Sequence, residues 1–175
     1  MNRMIRAALA VAVLLAAGTA PSAAAEKPPV LGSADFTGEF SHNAERGEIE
    51  ASVEVNTLKR PKDGRLVNLM YTIHNEDKEE FYPVSALSSS SVYDYGPIKS
   101  KSGAVLDAGG TTRYHTLTDE QFYCFCSNAN GFATTDVLDP GTSGVLWASF
   151  LVPEDVERVT VRIPAFGPVE DVPIG

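Results

Sequence analysis

Residues 48–74 read EIEASVEVNTLKRPKDGRLVNLMYTIH, the most regular pattern in the chain. From Glu48 to Val55 the alternation is strict. Ile49, Ala51, Val53 and Val55 fall on one side, and Glu48, Glu50, Ser52 and Glu54 on the other. Successive side chains of an extended chain point to opposite faces, so the pattern predicts a half-buried strand with its acidic face in water. Lys59-Arg60-Pro61-Lys62-Asp63-Gly64 has the composition of a turn. The same two-residue rhythm resumes from Arg65 to His74, with Val67, Leu69, Tyr71 and Ile73 on one face. Two such runs around a turn predict an antiparallel hairpin.

The rest of the chain carries the same signature. Ser33 to Phe40 predicts a first strand, stopped by Ser41-His42-Asn43. Phe81 to Val84 predicts a short edge strand, because Pro83 cannot donate to a ladder. Val92 to Tyr95 reads as extended. Gly103 to Asp107 and Thr111 to Leu117, around Ala108-Gly109-Gly110, predict a second hairpin. Leu138-Asp139-Pro140-Gly141 is a tight turn. Gly144 to Val152 is the most apolar stretch after the N-terminus and reads as a central strand buried on both sides, with Trp147 in the core. On that reading Trp147→Ala costs roughly 3–5 kcal/mol; a much smaller loss would make Trp147 a binding-site candidate. Pro153 to Glu157 reads as a short turn, and Val159, Val161 and Ile163 alternate with Thr160 and Arg162. Val169 to Ile174 predicts a last strand. Turn signals recur every ten residues or so, and no segment sustains a helical period. The expectation is an all-β, two-sheet antiparallel sandwich. Its core should hold Ile49, Val53, Val55, Val67, Leu69, Tyr71, Ile73, Leu146, Trp147, Phe150, Val159, Val161 and Ile163.

The first 25 residues read differently. Arg3 and Arg6 precede an apolar run from Ala7 to Ala17, and Ala23-Ala24-Ala25 offers a small-residue cleavage site before Glu26. This is the build of a secretory signal peptide. The run is shorter than the ~20 residues that span a bilayer, and no Cys follows it to carry a lipid anchor. The expected organisation is a signal peptide over 1–25, a stiff Pro-containing leader over 26–32 and one sandwich domain over 33–175. The expected localisation is secreted, extracellular or loosely attached to the cell wall. The formal net charge of −9 disfavours nucleic acid as a partner, because phosphate backbones repel an acidic surface.

Three pieces of the sequence resemble a known group. They are Val67 to Asn75; Thr112-Arg113-Tyr114-His115-Thr116-Leu117-Thr118-Asp119 followed by Cys124-Phe125-Cys126-Ser127; and Val145 to Pro153 running through Val159 to Pro164 into Asp171-Val172-Pro173-Ile174. Together they resemble exported immunoglobulin-like domains of high-GC Gram-positive bacteria, the actinobacteria. More distantly the chain is similar to telokin-like lipoprotein domains and small secreted mycobacterial antigens. The resemblance covers about residues 48–174. It implies an immunoglobulin-like sandwich and an exported location, and no settled activity.

Chemistry-bearing residues are few. Cys124 and Cys126 are the only cysteines. In an extended strand their Cα atoms would lie about 6.5–7 Å apart, at the limit of disulfide reach, and a local bend such as one at Ser127-Asn128 would close the gap. An oxidising compartment then makes a small local disulfide the expected state. Thiol-redox exchange at the pair is the alternative. His42, His74 and His115, with the cysteines and Met70, could form a soft-metal site, but their spacing matches no ligand rhythm. Acidic runs at Glu76–Glu80, Glu154–Glu157 and Glu170-Asp171 could take calcium, although acidic turns are common and the EF-hand spacing is absent. No G-x-S-x-G or H-E-x-x-H occurs, so no catalytic residue, metal ligand or cofactor is assigned. An unrecognised carboxylate pair of an extracellular hydrolase stays open as a third reading. The middle-third aromatics Tyr93, Tyr95, Tyr123 and Phe125 are the candidate binding surface. The expected function is a non-enzymatic binding module with an extracellular or cell-wall partner, of a kind the sequence does not name.

Overall fold

The computed structural model describes residues 29–38, 40–42, 45–47, 49–61, 64–83, 87, 103–121, 124–127 and 137–175. The described residues form ten strands: β1 (Gly32–Asp35), β2 (Phe40–His42), β3 (Glu45–Gly47), β4 (Ala51–Lys59), β5 (Leu66–Asn75), β6 (Val105–Ala108), β7 (Thr112–His115), β8 (Ser143–Leu151), β9 (Arg158–Arg162) and β10 (Val169–Pro173). They make two antiparallel four-stranded sheets, ordered β1-β4-β5-β8 and β10-β9-β6-β7, with β2-β3 as a separate small hairpin. Both sheets contribute to one apolar core, an arrangement consistent with a β-sandwich.

The opening stretch behaves as its alternation requires. β4 and β5 pair directly, with Val53 opposite Ile73 and Val55 opposite Tyr71. Ile49, Ala51, Val53, Val55, Val67, Leu69, Tyr71 and Ile73 are all buried. A bulge between Val55 and Thr57 sets Asn56 beside Thr72, where it is buried, its Oδ1 accepting the Thr72 hydroxyl at 2.6 Å and its Nδ2 donating to the Pro29 carbonyl at 3.2 Å. The second sheet supplies Leu106, Val159, Val161, Ile163, Val169 and Val172 from across the interface. The hairpin β6–β7 turns through Gly109 and Gly110, whose φ of 58° and 74° are costly for any residue with a Cβ.

Both lateral seams are closed by backbone. At one, β1 leaves its sheet through Phe36, which bridges Phe166, and the N–H groups of Thr37 and Gly38 both donate to the Ala165 carbonyl. Phe36 meets Phe166 and Phe81 edge to face, with centroids 5.3 and 5.5 Å apart. At the other, Leu117 donates to Ser149 of β8, and the Cys124–Ser127 segment runs along the outer edge of the same strand. Covered edges cannot template pairing with another chain. A fixed cation completes the base. The Arg60 guanidinium donates to the carbonyls of Val152, Pro153, Val156 and Gly64 at 2.9–3.3 Å, pinning the Pro153–Val156 turn to the end of β4.

Three expectations are corrected. Ser33 to Phe40 is not one strand: β1 ends at Asp35, and Phe40 belongs to the β2–β3 hairpin. Of Phe81 to Val84, Phe81 makes a single bridge to Leu138, and Val84 lies outside the described residues. β8 is an outer strand of its sheet, with alternate residues exposed, and Trp147 is 39% exposed. A continuous apolar run is the mark of a strand buried on both faces; here the outward residues Val145, Trp147 and Leu151 are apolar and still face solvent. Val92 to Tyr95 lies outside the described residues.

Candidate functional site

The outward face of the β1-β4-β5-β8 sheet can be laid out from its register, because directly paired residues share a face. One row runs Asp35, Ser52, His74, Ser143, and the next Ser33, Glu54, Thr72, Val145. The third runs Thr57, Met70, Trp147, and the fourth Lys59, Asn68, Ser149. Leu66 opposite Leu151 ends the array. The Cys segment adds a fifth column. Its bridge Cys126–Ala148 is inward-facing, so Ser127 extends the Trp147 row and Phe125 the Ser149 row, with the Phe125 carbonyl accepting Ser149 N–H at 2.9 Å.

The face divides by column. Its β5–β8–Cys side is apolar, with Met70 43%, Val145 51%, Trp147 39% and Phe125 51% exposed, and Leu66 and Leu151 exposed beside them. Several polar groups between these side chains bond one another. Ser149 Oγ donates to Asn68 Oδ1 at 2.8 Å, Thr72 donates to Asn56, and Ser127 Oγ accepts the Trp147 N–H at 2.8 Å. Its β1–β4 side is acidic. Ser52 donates to Glu76 at 2.8 Å, and Glu54 lies 3.4 Å from His74 Nε2, an ion-pair distance without hydrogen-bond geometry. Contiguous exposed apolar surface of this kind is uncommon on a soluble domain away from interaction sites.

The cysteines set the edge of this face. Their sulfurs lie within disulfide distance and their Cα atoms are 5.3 Å apart, closer than extended chain allows. A bend falls at Phe125, between the two cysteines; of the expected bend at Ser127-Asn128, Asn128 lies outside the described residues. Both cysteines are buried, and the residue between them is pushed outward. Of the candidate binding aromatics, Phe125 is thus exposed as expected, while Tyr93, Tyr95 and Tyr123 lie outside the described residues. Sequence reasoning missed Trp147 and Met70. Their direct cross-strand pairing depends on a register that composition does not reveal.

The other constellations come apart. His74 and His115 sit on different sheets, the side chain of His42 lies outside the described residues, and the cysteines face each other. Among the described residues no three His, Cys, Asp or Glu side chains gather closely enough to hold a metal ion. The acidic turn after β5 uses its carboxylate internally. Asp77 accepts the N–H groups of Glu50, Glu79 and Lys78, which hold its carboxyl below the usual range. The turn is built on the buried Asn75, whose Nδ2 donates to the carbonyls of Glu79 and Leu138, both at 2.8 Å, and whose Oδ1 accepts Asp77 N–H at 3.1 Å. Ser52, His74 and Glu54 are neighbours, but Ser52 donates to Glu76, so hydroxyl and imidazole are not coupled as nucleophile and base.

The outer face of the second sheet carries a shallow charged depression, lined by Asp107, Arg158, Arg162, Glu170 and Asp171. Its charges neutralise one another. Arg113 clasps Asp107 through Nε and a terminal nitrogen at 2.7 and 2.8 Å, Arg162 adds 2.7 Å, and Arg158 pairs with Asp171. These partners, Arg113 first, hold the Asp107 carboxyl below its ordinary value. No family model, curated protein sequence or solved structure matches this chain.

Proposed function

We propose that this chain is an exported, non-enzymatic binding module of immunoglobulin-like sandwich type, and that it binds a partner through the outward β5–β8 face. The observation that carries the reading is the Met70–Trp147 pair, which with Val145 and Phe125 forms an exposed apolar surface. Interfaces concentrate binding energy in large side chains of this type, Trp above all. Export, with residues 1–25 as its signal, is supported by the N-terminal pattern and fits a cysteine pair at disulfide distance. The immunoglobulin-like reading is supported by two four-stranded antiparallel sheets whose successive strands cross between layers at β5–β6, β7–β8 and β8–β9.

The test compares immobilised chain with two variants on culture medium and cell-wall extract. A Met70→Ser, Val145→Ser double variant alters the apolar face, and Arg162→Ala alters the opposite sheet. A partner retained by wild type and Arg162→Ala but lost by the face variant supports the reading. Equal retention by all three overturns it.

A further inference from the structure

We infer that the partner is a polypeptide segment presenting apolar side chains flanked by lysine or arginine. This rests on the binding-face reading above and adds the chemistry of what the face takes. Three observations converge on it. First, the exposed area of these columns is mostly aliphatic, thioether and aromatic, from Leu66, Met70, Val145, Trp147, Leu151 and Phe125, and the hydroxyls of Ser149 and Thr72 donate to Asn68 and Asn56. Apolar side chains of a polypeptide need only such area to bury. Second, the columns beside them carry carboxylates. Asp35 and Glu54 stand outward on β1 and β4, and Glu76 reaches the same face through Ser52. The one lysine or arginine among these rows is Lys59, at the far end, and the His74 imidazole already faces Glu54. A partner crossing from β8 towards β1 therefore moves from an apolar to an acidic surface. Third, the chain carries a formal net charge of −9, which opposes docking of a second copy and speeds the approach of a cation.

The side chains that set the two halves are separable, so the inference is open to direct test. Three short peptides serve as probes for calorimetric titration against the whole chain. One alternates leucine with lysine, one alternates leucine with glutamate, and one alternates serine with lysine. The leucine–lysine peptide is expected to bind, with affinity falling as salt is raised. Each of the other two is expected to bind about tenfold more weakly or worse. Met70→Ser with Val145→Ser should remove the leucine-dependent gain. Asp35→Lys with Glu54→Lys should move the preference towards the leucine–glutamate peptide. Met70, Val145 and Asp35 are exposed and Glu54 is half-buried on the same face, so far-UV circular dichroism checks that each variant is folded.

Equal binding of the two leucine peptides would overturn the cationic partner and leave the binding face standing. Equal binding of the serine–lysine and leucine–lysine peptides would show charge attraction alone and overturn the inference. A concentration-dependent dimer dissolved by Met70→Ser would make a second copy the occupant, and would overturn it too. Failure of every leucine peptide to bind would remove both this inference and the face it rests on.

Discussion

Tyr71→Phe is expected to stabilise this protein. Tyr71 is fully buried on β5, and its hydroxyl makes no hydrogen bond. A buried hydroxyl without a partner costs about 1–3 kcal/mol in desolvation. Removing one oxygen leaves a void of roughly 10 Å³, worth about 0.2 kcal/mol at the usual cavity coefficient. The ring keeps its packing between Val55 and Leu146, the residues opposite it on β4 and β8. The net gain is then about 1–2 kcal/mol, or roughly 2–8 °C in Tm for a domain of this size. Urea titration of both proteins, with unchanged m-value, reads the difference. Alkaline pH gives a second readout. Burial raises the Tyr71 pKa above its ordinary value. Its contribution to stability is therefore full below about pH 10 and falls as pH rises beyond the unfolded-state value. The phenylalanine variant lacks that component of the alkaline decline. A loss of about 1 kcal/mol or more on Tyr71→Phe would refute the reasoning, because it would require a native partner for the hydroxyl.

Three further outcomes follow from the same structure. Asn75→Ala should cost about 1–3 kcal/mol, since it removes the side-chain partner of the Glu79 carbonyl and of the Asp77 N–H and one of two donors to the Leu138 carbonyl, which keeps the Phe81 N–H; a cost below about 0.5 kcal/mol by denaturant titration would contradict that role. The Asp107 carboxyl, lowered mainly by Arg113, contributes stability that is present above about pH 4 and lost as pH falls through its depressed native value, so Asp107→Asn should flatten part of the acid-side decline in thermal melts followed against pH. Cys124→Ala with Cys126→Ala should cost only about 1–2 kcal/mol, because so short a ring restricts little of the unfolded chain; alkylation of unreduced wild type should find no free thiol, and a loss above about 4 kcal/mol would show that the pair holds more than its own segment.

The hairpin at residues 48–74 was legible because its alternation has one physical solution: a strand with one dry face. The same logic placed β9, β10 and the β6–β7 hairpin. It failed at Gly144 to Val152, where both faces are apolar for different reasons. Leu146, Ala148 and Phe150 fill the core, while Val145, Trp147 and Leu151 make a surface. Periodicity cannot separate two apolar faces when neither is polar. The binding candidates were half legible. Phe125 stood out between two cysteines, but its alignment with Trp147 and Met70 comes from long-range register. The hydroxyl–amide pair Thr72–Asn56 was equally hidden, since it depends on a bulge that alternation alone does not announce.

Trp147 is the chain's only tryptophan, so its fluorescence reports one position without ambiguity. The central claim is that this side chain belongs to an open apolar face and not to the core. Acrylamide quenching of the folded protein measures that directly. The expected result is a red-shifted emission, readily quenched in the free protein and shielded when the leucine–lysine peptide is bound, with Trp147→Ala costing no more than about 1 kcal/mol of stability. A blue-shifted emission that acrylamide barely reaches, in free and folded protein, would place Trp147 in the core and contradict the account.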